Sequence, residues 1–131
     1  MTELPLAGGC QCGALRYEIS AAPLTVYNCH CTNCQKISGS AFATVLMMGR
    51  DDFAFTGGEP AVTEWSATTG KTRFGWFCGS CGTRIAHGTH GAPDDMSSKV
   101  LSVRAGTLDD TSWVRPVADG WVGSAQKWET I

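Results

Sequence analysis

Cys29-His30-Cys31-Thr32-Asn33-Cys34 puts three thiols into six residues and decides how the rest of the chain is read. A Cys-x-Cys (Cys10, Cys12) stands upstream and a Cys-x-x-Cys (Cys78, Cys81) downstream, so the seven cysteines fall as two, three and two. Two closed tetrahedral thiolate sites would need eight. One site closes and the other stays a ligand short. A structural zinc takes four protein ligands, whereas a catalytic zinc keeps three and leaves its fourth position to water or substrate. The outer pairs form a natural four-thiolate set, which leaves Cys29, Cys31 and Cys34 as the open site. A partition in which the trio borrows one cysteine from a neighbour remains possible on paper.

Working outward, the flanks read as short strands. Leu24 to Cys29 feeds into the trio, and if extended geometry persists to Cys31, then Cys29 and Cys31 share a face and His30 points away from the metal. Asn33 to Ser38 reads as a short helix ended by Gly39, and the apolar run Ala41 to Met48 as a strand crossing the core. Leu15, Tyr17 and Ile19 alternate with Arg16 and Glu18, as in a half-buried strand. Asp52 to Thr56, Ala61 to Ser66, Lys71 to Phe77, Thr83 to His87 and Lys99 to Ala105 are further strand candidates, separated by glycine-rich turns. Thr2 to Gly8 is expected to be a lead-in, with Cys10 and Cys12 following on one side of an extended arm. Gly88 to Ser98 has the composition of an exposed loop, and Trp113, Trp121 and Trp128 in the tail are candidates to cover a core edge or line a pocket.

Composition bounds the partners. A chain of 131 residues is expected to form one domain, residues 1–131, with enough core to fold around its metals. The formal charge is -2, and seven thiolates binding two divalent zinc ions take it to about -5, against a polyanion partner. The ten Lys and Arg residues are scattered, so nucleic acid is disfavoured. The longest uncharged, mostly apolar run, Ser38 to Gly49, is too short to cross a bilayer, and Met1 to Gly9 lacks a secretory pattern. We expect a soluble, cytoplasmic protein, where clustered thiols bind metal more often than they pair as disulfides.

Five blocks in order complete the pattern: Gly-Gly-Cys-x-Cys-Gly at Gly8 to Gly13; Arg16-Tyr17; Cys-His-Cys-x-x-Cys-Gln-Lys at Cys29 to Lys36 with Gly39-Ser40-Ala41-Phe42; Phe-Cys-x-x-Cys-Gly at Phe77 to Gly82; and Arg-Ala-Gly-Thr-Leu-Asp-Asp at Arg104 to Asp110. Together they closely resemble the glutathione-dependent formaldehyde-activating enzyme family, which includes centromere protein V. The resemblance implies a mainly β "β-tent" fold of short antiparallel sheets with little helix. It also implies a structural zinc on Cys10, Cys12, Cys78 and Cys81, and a catalytic zinc on Cys29, Cys31 and Cys34. The activity it implies is that of a carbon-sulfur lyase joining glutathione to formaldehyde as S-hydroxymethylglutathione. One departure stands out: where many relatives carry Pro-x-x-His-Ile and then Ser-Lys, this chain has Asp119 at the place of the His and Ala125 after Ser124.

Each assignment has a plainer rival. The trio could be a second folding site closed by His30, His87 or His90, and Cys78/Cys81 a redox pair, although the βαβ pattern of thioredoxin-like proteins is missing. His30 is expected to face outward or to support a ligand, and His87 and His90 to be solvated. Lys36, Arg73 and Arg84 are candidates to meet substrate carboxylates, or else plain surface charges. Gln35, Ser38 and Ser40 are candidate substrate or ligand-supporting contacts, with capping and turn roles open to the serines. Against the enzyme stands a zinc-stabilised binding module without catalysis.

Overall fold

The computed structural model describes residues 3–67, 69–88, 91–95 and 97–131. Among the described residues ten strands and one α-helix follow one another: β1 (Leu6–Gly9), β2 (Arg16–Ile19), β3 (Thr25–Cys29), α1 (Thr32–Ser38), β4 (Ala43–Gly49), β5 (Phe53–Gly57), β6 (Ala61–Ser66), β7 (Thr72–Phe77), β8 (Arg84–Gly88), β9 (Val100–Arg104) and β10 (Asp119–Gly120). They form a three-stranded sheet, β1-β2-β5, and a seven-stranded sheet, β10-β3-β4-β9-β8-β7-β6. All pairings are antiparallel except β10 on β3. The mainly β, little-helix architecture implied by the resemblance is what the chain forms.

The alternation seen in the sequence becomes the inner face of each sheet. Tyr17 and Ile19 of β2 meet Leu46 and Met48 of β4, Phe74 of β7, Ile85 of β8 and Leu101 and Val103 of β9 in one buried core. Phe53 stacks between Tyr17 and Trp76, with centroids 5.0 and 5.9 Å away. Burying such side chains contributes roughly 1.5–3 kcal/mol each.

Polar contacts join the Arg16-Tyr17 block to the Arg104–Asp110 block. The Tyr17 hydroxyl lies 2.7 Å from Thr107 Oγ1, and Thr107 donates to the Arg104 carbonyl. Arg16 makes a two-pronged ion pair with Asp109, and Asp109 N donates to Ala7 O at 2.9 Å. Two motifs far apart in sequence are thus one seam.

Three expectations need correction. Residues Leu6–Gly9 are a strand rather than a lead-in, short and rich in glycine and alanine, so that β-propensity did not mark it. Cys10 to Gly13 is a tight turn rather than an extended arm, closed by Gly13 N to Cys10 O at 3.1 Å. The described part of the Gly88 to Ser98 loop is not merely exposed: Ser98 is buried, and the Arg50 guanidinium donates to the carbonyls of Asp95 and Pro93.

Candidate metal centres

The two cysteine groups converge as separate clusters. Within each, Cys10/Cys12/Cys78/Cys81 and Cys29/Cys31/Cys34, all sulfurs lie within 4.8 Å of one another. All seven thiols are free. The Cys10–Cys12 and Cys12–Cys78 sulfurs stand 3.6 and 3.8 Å apart, far beyond the S–S bond of about 2 Å.

Two turns of the same design build the first cluster. Cys10–Gly13 connects β1 to β2, and Cys78–Gly82 connects β7 to β8. Each ends on a glycine with φ +83°, a region closed to most side chains. The second turn closes through Gly82 N to Cys78 O at 2.8 Å, and backbone amides point at sulfur, Leu15 N to Cys10 at 3.2 Å and Cys81 N to Cys78 at 3.5 Å. The turns meet at Thr83, whose hydroxyl accepts from Gln11 N and lies 3.2 Å from Cys81 Sγ. That hydroxyl, foremost, draws the Cys81 thiol down to about 5. The Ala14 amide favours thiolate at Cys12, but the sulfurs of Cys10, Cys81 and Cys78 outweigh it and push the thiol up to about 11. Cys12 and Cys81 are exposed, and the cluster borders none of the three principal cavities.

The trio is placed by a strand end and a helix start. Cys29 closes β3, in register between Ala43 of β4 and Gly120 of β10. Cys31 caps α1, its sulfur accepting from Cys34 N at 3.3 Å. Gly39 ends the helix in the left-handed region, as the sequence predicts. Hydrogen bonds from Cys29 and then Cys34 hold the Cys31 thiol far down, at about 2, while the Cys31 sulfur, foremost, pushes Cys29 up.

The trio forms the floor of a cavity of about 190 Å³, walled by Ile37, Val45, Met47, Trp65 and Trp121 and bordered by Arg73, His87 and Arg104. Trp121 is 64% exposed yet sits with φ +58°. For a bulky residue that backbone region is strained, and such strain gathers at functional sites.

Among the described residues no histidine joins either cluster; His90 lies outside them. His30 is not at the surface as one expectation had it, being 1% exposed. Its Nε2 lies 2.8 Å from Asp119 Oδ1 and its ring 5.1 Å from Phe42. Since a carboxylate only accepts, Nε2 carries the proton. Asp119 also accepts weakly from Asn28, at 3.5 Å. The residue that departs from the relatives' pattern is thus the partner of the histidine between two ligands. Burial, with the charges of Arg104 and Arg84, drives His87 down to about 3, so its ring is neutral.

Gln35 joins the backbone between Cys29 and Cys31 to the tail, donating to His30 O at 2.8 Å and Ser124 O at 2.9 Å and accepting from Gln126 at 3.2 Å. With His30 N to Gly120 O at 3.0 Å it straps the tail over the trio. Ser38 turns back onto Cys34 O, a helix-internal bond, and Ser40 N closes the helix end on Gln35 O. Trp113 packs on the core and Trp121 lines the cavity, but Trp128 is exposed with its Nε1 on Gln126. Of the three cations singled out in the sequence, only Arg73 borders the trio cavity; Arg84 lies over Trp65 at 5.4 Å, where Gly75 leaves room, and Lys36 lines a shallower cavity.

Sequence reasoning missed Arg104. It is 8% exposed, with Nη1 3.9 Å from Cys34 Sγ. Its register position opposite Val45, one strand from the trio, was the signal that only pairing could reveal.

Fold and site together define a mainly β protein carrying two thiol clusters, each able to hold a metal ion, of which one floors a cavity. The chain belongs to the glutathione-dependent formaldehyde-activating enzyme family, whose profile matches residues 5–124. A crystal structure of a Rhodobacter sphaeroides protein is similar in fold, with TM-score 0.61 and 22% identity over 87% of this chain and 99% of the other.

Proposed function

We propose that this protein is a zinc-dependent carbon-sulfur lyase that forms or splits thiol–aldehyde adducts, as S-(hydroxymethyl)glutathione synthase does. Cys10, Cys12, Cys78 and Cys81 would hold a structural zinc, and Cys29, Cys31 and Cys34 a catalytic one. The observation that carries the reading is placement: among the described residues the three-sulfur cluster lines a principal cavity and the four-sulfur cluster lines none of the three. The sulfur separations of 3.6 and 3.8 Å in the other cluster match the roughly 3.8 Å expected around tetrahedral zinc with Zn–S near 2.3 Å.

A zinc ion on the trio would supply a soft Lewis acid on which a thiol loses its proton. The chain's own groups do the rest. Ile37, Val45, Met47, Trp65 and Trp121 exclude water from the sulfur, which keeps the thiolate reactive. The Arg104 guanidinium beside Cys34 offsets the negative charge of the ligands. Neutral His87 offers the cavity its Nδ1, which is buried without a partner, as a hydrogen-bonding group rather than a strong base. Asp119 orients His30, and through it the backbone between Cys29 and Cys31. In the forward direction an S–C bond forms at the aldehyde carbon, and the thiol's proton ends on the aldehyde oxygen. The partners on this reading are a small thiol such as glutathione and an aldehyde, with neither nucleic acid nor membrane, in the reducing cytoplasm.

Exchange NMR with isotopically labelled formaldehyde and glutathione tests it. The zinc-loaded protein should accelerate adduct exchange over buffer, and Cys34→Ser should not. Rates equal to buffer for the loaded wild type would leave the zinc-stabilised binding module as the better reading.

A further inference from the structure

A second cavity, of about 490 Å³, is bordered by Ile37 and Ser38 of α1, Thr44 of β4, Gly82 of the second cysteine turn, Arg84 of β8 and Arg104 of β9. Its charges do not balance. Among the described residues no Asp or Glu lines it or either neighbouring cavity. Cys34 accounts for one nitrogen of Arg104, but Nε and Nη2 are buried with no partner, as is Nη1 of Arg84. Buried polar groups nearly always find partners, and a buried charge without one is costly. Burial, then repulsion from Arg104, lowers the Arg84 pKa, so the second guanidinium worsens the imbalance. The hydroxyls of Ser38 and Thr44 spend their protons on Cys34 O and Asn28 Oδ1, which leaves the two guanidiniums as the available donors.

We propose that this cavity is an oxyanion site in which Arg84 and Arg104 together hold a carboxylate or phosphate group, and that its occupancy is felt at the trio through Arg104. Planar guanidinium forks suit such groups. Because Arg104 borders both cavities, the anion has two possible sources: a carboxylate on the thiol substrate itself, or a free anion that tunes the trio. The site stands on arginine geometry and not on the thiol–aldehyde reading.

Calorimetric titration of the metal-loaded protein with inorganic phosphate and with acetate, against chloride at equal ionic strength, decides it. We expect saturable binding of at least one oxyanion, weakened about tenfold or more in Arg84→Gln and partly restored in Arg84→Lys. Arg104→Gln should act likewise; if that variant does not fold, the Arg84 pair alone carries the test. No saturable heat beyond chloride, or unchanged binding in Arg84→Gln, would overturn the proposal. Mercaptoacetate and mercaptoethanol on Co2+-loaded protein identify the source. A preference for mercaptoacetate that disappears in Arg84→Gln assigns the anion to the thiol; phosphate binding without competition from mercaptoacetate assigns a separate anion. Either pattern supports the site. Should no thiol perturb the Co2+ spectrum while phosphate still binds, the thiol–aldehyde reading fails and the oxyanion site stands.

Discussion

The two cysteine clusters use the same ligand chemistry for different ends. The four-sulfur cluster joins two exposed turns, one from each sheet, and its amides, sulfurs and threonine hydroxyl satisfy one another. The trio has no exposed thiol, whereas Cys12 and Cys81 are exposed, and it faces a cavity instead of a fourth sulfur. Around it the chain places strained, buried and charged groups: Trp121 in the left-handed region, His30 on Asp119, Arg104 against Cys34. A closed set of ligands tethers; an open set on a built floor invites chemistry.

Breaking the tether should have the largest effect. Cys81→Ser removes one of four ligands, and because structural zinc contributes on the order of 10 kcal/mol or more to folding, as much as a domain's whole stability, the variant should lose its cooperative thermal transition. Cys34→Ser should stay folded by circular dichroism and lose one metal equivalent by elemental analysis. If both variants unfold alike, the two clusters do the same job. Sharpening the contrast within the trio, Asp119→Ala should weaken metal there about 10- to 100-fold by competitive chelation and leave the other cluster's affinity unchanged.

Smaller effects concern the cavity wall. His87 is held at about 3 when folded, against an ordinary value near 6.5. Between those values the unfolded chain binds a proton that the folded one lacks. Stability should therefore fall as pH drops through that window, by about 1.4 kcal/mol per unit from this group, and be unaffected by it above the window. His87→Phe should show a shallower acid slope in denaturant titrations at a series of pH values. Trp121→Gly relieves the positive φ as it removes the ring, so stability should shift by less than about 1 kcal/mol while thiol affinity at the trio falls.

Much of this was legible in the sequence, for physical reasons. The spacing of Cys78 and Cys81 with a glycine after the pair defined one ligand turn, whereas the alternation argument made Cys10/Cys12 an arm; the strand Ala61–Ser66 and, to within a residue, Thr72–Phe77 followed from alternation between glycine turns. Local signals did not show β1 and β10, a short small-residue strand and a two-residue bridge that exist only because a partner strand is waiting. Arg104 read as one more residue of a motif, and nothing local marks a guanidinium that will be buried beside a sulfur from another element. Asp119 was visible as a departure from the relatives, but its partner, His30, lies 89 residues away. His30 was legible only in part. The alternation argument sent it away from the sulfurs, but that direction led into the fold.

Stepwise Co2+ loading of the metal-free protein, followed by thiol titration, tests the central claim most directly. The account predicts one equivalent with a tetrathiolate spectrum that ignores added thiol, and a second whose spectrum shifts when mercaptoacetate or glutathione is added and which is absent in Cys34→Ser. Two equivalents that both ignore every thiol, or a single equivalent only, would contradict it.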